Sequence, residues 1–191
     1  MKRAIISVMC LLCAAMGLGG CGSAGALSVR SAALDNATTV EGRFDTAIYA
    51  VQDVQTLHVL LIDGPVDTPR QVVHLQMFWT PMAGKTPFDA SATNASVRYI
   101  VFDGEKIGCY GGGGLLRPGE TPGDSTFSAT LRNATLRLLN ANEGFENTLG
   151  VAVAEGSFTA ERDDEKTLEL VRRIQAMVSE KLGYPKMVMT Q

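Results

Sequence analysis

From Gly42 to Arg162 the chain repeats one pattern: short runs of β-branched, aromatic and aliphatic residues, alternating with polar ones and broken by Gly, Pro, Asn or Asp. Phe127, Ala129 and Leu131 alternate with Ser128, Thr130 and Arg132. Val73, Leu75, Met77 and Trp79 alternate with His74, Gln76 and Phe78. Side chains of a strand point alternately to opposite faces, so a period of two marks a strand with one face in a core. Segments 43–52, 56–62, 71–79, 96–102, 106–111, 126–132, 135–139, 148–154 and 156–161 fit this description. Many short strands at this spacing predict a mainly β fold, an antiparallel β-sandwich or a barrel-like domain. Asp103-Gly104, between two such runs, predicts a type I′ hairpin turn, which needs positive φ at both central residues.

After Arg162 the period changes. Leu168, Val171, Ile174, Met177 or Val178, and Leu182 recur at three- and four-residue steps, which predicts one amphipathic helix over about 163–182. Asp163 or Asp164 can cap its first amides, and Gly183 and Pro185 end it. Glu169 and Arg173 stand at i,i+4 on the polar side. The apolar stripe is expected to cover the sheet.

The N-terminus has a different character. Lys2 and Arg3 precede an apolar run from Ala4 to Met16, followed by Leu18-Gly19-Gly20-Cys21. A basic start, an apolar core and small residues at its end are the parts of an export signal, here with a cysteine at the cut. Taken from Ala4 to Gly20, the run is just under the roughly 18 to 20 residues a membrane-spanning helix needs, and glycines weaken its end.

Leu18-Gly19-Gly20-Cys21 resembles the lipobox of bacterial lipoproteins, a likeness confined to the first 25 or so residues. It implies a signal peptide over 1–20, cleavage between Gly20 and Cys21, and lipid attached to Cys21. Two or three acyl chains make a durable anchor, at about 0.8 kcal/mol per buried methylene. The resemblance places the protein in the cell envelope, with the membrane as its first partner. Gly22, rather than aspartate, follows the lipidated position, which favours the outer membrane, facing the periplasm, in an organism with two membranes. Residues 21–40 read as the lipidated N-terminus and a tether holding residues 41–191 roughly 20–25 Å from the lipid. A strand in that stretch would bury Leu27, Val29 and Leu34.

Removing Lys2 and Arg3, with no acid in the same stretch, moves the formal net charge from −3 to −5. No basic run in the rest of the chain suits phosphate binding, so nucleic acid is not an expected partner. Cys10 and Cys13 fall in the signal and Cys21 in the box, which leaves Cys109 as a lone, small apolar residue in a strand. Ala83-Gly84-Lys85-Thr86 resembles the end of a phosphate loop, but Trp79 stands where its first glycine belongs and Pro81 removes an amide. Gly111 to Gly114 lacks the third glycine and following helix of a dinucleotide turn. Neither a nucleotide nor another cofactor is expected. Asn36, Asn94 and Asn133 head glycosylation-type triplets that a bacterial lipobox makes irrelevant.

Candidate chemistry is sparse. His58 and His74 are the only histidines and read as half-exposed strand positions. Their use in an envelope hydrolase, or with Asp63 and Asp67 in a metal site, is the enzymatic alternative. The preferred reading is a non-catalytic binding or assembly module, with a docking role in an envelope transport or secretion complex as a further alternative. Its candidate binding residues are Leu115, Leu116 and Arg117, in a mobile loop expected over Gly111–Gly123, and Trp79, beside Pro81 and Phe88.

Overall fold

In a computed structural model, the structure describes residues 24–32, 37–53, 55–78 and 92–183. Their architecture is mainly β: a mixed sheet of nine strands with one C-terminal helix. The strands are β1 (Gly25–Ser31), β2 (Thr39–Phe44), β3 (Thr46–Val51), β4 (Leu57–Asp63), β5 (Gln71–Met77), β6 (Ala95–Asp103), β7 (Lys106–Pro118), β8 (Thr126–Ala141) and β9 (Ala152–Arg162). The helix is α1 (Asp164–Leu182). From β3 to β9 each strand pairs with the next; β8 lies on one edge of β9, and β3 meets the other edge through a short parallel contact at Ile48–Glu161 and Tyr49–Arg162. That contact closes the run of pairings into a ring. Above it, β1 takes the place of β3 on β9, and β2 pairs with β1.

Two cores follow from this closure. Inside the ring pack Tyr49, Val59, Leu61, Leu75, Tyr99, Tyr110, Phe127 and their neighbours. On the outer wall, Ile48, Leu60, Ile62, Val72, Ile100, Ile107 and Cys109 pack beneath Leu170, Val171, Ile174, Val178 and Leu182 of α1. The helix-covered strands are therefore apolar on both faces, and every position of β4 is buried. β8 and β9, outside the helix footprint, keep the alternation of buried and more exposed residues seen in Phe127 to Arg132.

The ends of α1 are tied to the sheet. Asp163 caps the Lys166 amide, and its own N–H donates to the Tyr49 carbonyl at 3.0 Å. Asp164 accepts from the Val51 amide at 3.0 Å; the Arg162 guanidinium, then this amide, holds its carboxyl below the usual range. At the other end Gly183 takes a left-handed conformation, and Lys181 reaches the Gly104 carbonyl and the Glu105 carboxylate. Arg173 pairs with Asp67, which ties the helix to the β4–β5 connection.

Three expectations change. The stretch read as a tether contains β1, which buries Leu27, Val29 and Ser31 and runs between β9 and β2. Its small, polar composition hides a strand whose stability comes from two ladders. The hairpin turn falls one residue later than expected, because Asp103 pairs with Lys106 and leaves Gly104-Glu105 as the central pair. Gly104 alone has positive φ (59°), the φ pattern of a II′ turn rather than I′. The segments 126–132 and 135–139 form one strand, β8, kinked at Asn133. That residue takes φ 50° where the register with β9 slips, a conformation asparagine tolerates.

Thr167 lies on the buried face of α1, fully enclosed, and among the described residues its hydroxyl has no hydrogen-bond partner. An unpaired buried hydroxyl carries a desolvation cost that an isosteric methyl removes. Thr167→Val is expected to raise unfolding stability by about 1 kcal/mol, whereas Ile174→Ala on the same face lowers it by about 2–5 kcal/mol. Urea unfolding monitored by circular dichroism measures both.

Candidate functional site

The glycine run is not a loop. Gly111 to Gly114 lie inside β7, the strand squeezed between β6 and β8. A Cβ on Gly112 would stand 1.8 Å from the Thr135 carbonyl oxygen, one on Gly111 2.2 Å from the Arg98 guanidinium, and one on Gly114 2.6 Å from the Ala134 Cβ. The glycines admit close approach where the β7–β8 register slips between Gly113 and Leu115. Leu115 and Leu116 are buried and therefore offer no exposed binding surface, while Arg117 is exposed. Fully buried Asn94 accepts from the Leu116 amide at 2.7 Å and donates to its carbonyl at 2.9 Å, extending the ladder with a side chain. The true connection after β7 is short, Gly119 to Ser125. Trp79, Pro81 and Phe88 lie outside the described residues, as do Gly20 and Cys21.

His58 and His74 are brought together, but not at the surface. β4 and β5 pair so that Leu60 faces His74 and His58 faces Gln76, which makes the histidines diagonal neighbours on the outer wall. They are 3% and 4% exposed, not half-exposed. Their rings lie parallel with centroids 5.2 Å apart, and His58 Nδ1 stands 3.0 Å from His74 Nε2. His58 Nε2 is 2.8 Å from Gln52 Oε1. With the Gln52 oxygen accepting, the proton of His58 sits on Nε2, and Nδ1 then accepts from His74 Nε2–H. Burial, then the charges of His58 and Arg98, pushes His74 down to about 3. Burial also lowers His58, partly offset by Asp53. Both rings are neutral at pH 7 and bonded to each other and Gln52, with no nucleophile among these partners.

The expected metal quartet does not assemble. Asp63 is held by Arg70 and Asp67 by Arg173, both away from the histidines. Among the described residues no group of three or more His, Cys, Asp or Glu is placed to hold a metal. Cys109 is buried under α1, and burial pushes its thiol up to about 12, so it is an inert apolar residue as expected.

The site that sequence reasoning missed is a half-open cavity of about 330 Å³ at the end of the ring of strands carrying Gln71, Asp103 and Lys106. Its floor is built by Tyr99 and Tyr110, direct partners across β6 and β7. Tyr99 donates to Gln71 Oε1 and Tyr110 to Asn147 Oδ1, each at 2.9 Å. Burial raises both phenols, so they remain neutral hydrogen-bonding groups. Val40, Val101 and Leu149 supply apolar walls, and Asp103, Lys106 and Glu146 a charged rim. Parity along β6 and β7 places the tyrosines on one face. The part contributed by residues 145–149 was hidden, since 148–154 reads as strand whereas β9 starts at Ala152. Comparison with protein-family models, curated proteins and solved structures gives no match to this chain.

Two outcomes follow. Gly112→Ala is expected to destabilise the domain by about 3 kcal/mol or more, since backbone must move to admit the methyl; denaturant unfolding measures the loss. The depressed histidines bind fewer protons folded than unfolded. Their contribution to stability is therefore complete above pH 6.5 and is lost as pH falls from there toward about 3. The urea midpoint should fall between pH 7.5 and 5, and His74→Gln should flatten that slope. An unchanged slope in the variant would assign it to other groups.

Proposed function

We propose that this protein is a lipid-anchored, non-catalytic binding or assembly module of the bacterial cell envelope. The observation that carries the reading is the spacing between the Leu18-Gly19-Gly20-Cys21 box and the first strand, β1, which starts at Gly25. Four residues span at most about 14 Å. An anchor on Cys21 would hold the barrel against the membrane surface, not at the end of a long tether. No helix among the described residues is long and apolar enough to cross a membrane. The cavity beside Gln71 and Asp103 gives such a module a place to bind. The enclosed His58–His74 pair lends no support to the hydrolytic alternative.

Intact mass and membrane fractionation of natively expressed protein test the anchor. The expected product begins at Cys21, carries a lipid-sized mass increase and sediments with membranes. Cys21→Ala should lack the added mass and lose membrane attachment. An unlipidated chain with an intact or differently cut N-terminus would overturn the reading.

A further inference from the structure

The ring of pairings closes only in its lower half, where β3 meets β9. In the upper half β1 and β2 stand in place of β3, and the sheet ends at β2. The bond from Ser31 N–H to the Thr38 carbonyl sets the phase of the β1–β2 ladder. With Cα partners running from Gly25–Phe44 to Arg30–Thr39, the backbones of Val40, Gly42 and Phe44 turn toward β1. Those of Thr39, Glu41 and Arg43 turn to the open side. Among the described residues β2 pairs with β1 alone, and β4 stands near it across the gap without a shared ladder. Exposed edges of this kind take added strands.

The cavity adjoins this edge. Val40 of β2 lines it, and a Cβ on Gly42 would lie 3.0 Å from Gln71 Oε1 on its wall. A strand laid along β2 would point alternate side chains inward, beside Val40 and into that space. The cavity offers Val40, Val101 and Leu149 to an aliphatic stem. Asp103 and Glu146 at the rim make no ion pair among the described residues. Among the described residues Lys106 is the only base lining the cavity, so the surplus charge of that lining is negative.

We propose that the free edge of β2 takes an extended segment of a partner protein as an added strand, with a lysine or arginine of that segment in the adjoining cavity. The proposal rests on the binding-module reading and names its partner chemistry. The strand's backbone satisfies the open groups of Thr39, Glu41 and Arg43. Its basic side chain lays its stem on the apolar walls and its charge against Asp103 and Glu146.

The test uses the full chain in detergent micelles and a blocked peptide alternating Val and Thr around one central lysine. Saturable binding is expected, with amide exchange at Glu41 and Arg43 slowed about tenfold or more. A glutamate in place of the lysine should weaken binding about tenfold or more. Glu41→Pro should abolish it, since that amide faces the open side and its loss leaves the β1–β2 ladder intact. A peptide N-methylated on the bonds facing β2 should also fail, which preserves the test if the proline variant misfolds. Absence of saturable binding, or binding that Glu41→Pro and N-methylation leave unchanged, overturns the proposal. So does a dimer in which these amides are already protected, since a second copy then fills the edge. Peptide protection elsewhere on the barrel overturns the edge site while leaving a binding module, and the Cys21 mass measurement judges the anchor separately.

Discussion

β9 is the strand on which the rest of the fold depends. It pairs with β8 along one edge and with β1 and then β3 along the other, so it joins the last strand of the meander to both N-terminal segments. A buried strand must satisfy its backbone groups, and β3 and β8, the two ends of the meander, find partners for their second edges in β9. The sharing has a geometric consequence. Since β1 and β3 divide one edge of β9 between them, β2 pairs with β1 and shares no ladder with β4, and the ring of strands opens where the cavity lies.

The outer wall repeats the same economy with a different partner. β3 to β7 expose an apolar stripe that α1 covers, tied at its start to Tyr49 and Val51 and at its end to the Gly104-Glu105 turn. His58 and His74 lie on that wall beside the apolar stripe, where burial is met by hydrogen bonds to each other and to Gln52 and not by charge. A neutral, enclosed pair of this kind consolidates the β4–β5 ladder. The open cavity lies elsewhere, at the end of the ring where Gln71, Asp103 and Glu146 line it together with Tyr99 and Tyr110.

The misread glycines and histidines share a cause. Glycines in succession have the same local signature in a loop as in a strand crowded by its neighbours. What distinguishes them here is the Thr135 carbonyl, more than twenty residues away along the chain. Likewise His74 between Val73 and Leu75 reads as the polar side of an amphipathic strand, and nothing local tells that the outer face is also enclosed. Leu115 and Leu116, expected in a mobile loop, are buried instead, with Leu116 in the inner core and its backbone bonded to Asn94.

By itself the sequence determined the local conformations: strands in Phe127–Arg132 and Val73–Met77, a hairpin next to Gly104, and a helix over about 163–182 with its buried stripe. These follow from side-chain period, capping groups and glycine's access to positive φ, all of which act within a few residues. Tertiary structure alone decided that β1 is a strand, that β9 closes the ring, and that Tyr99, Gln71 and Glu146 share a cavity beside an open edge. Those features depend on which ladder each backbone joins and on the register of that pairing. Such choices are settled by burial and hydrogen bonding between residues far apart in the chain.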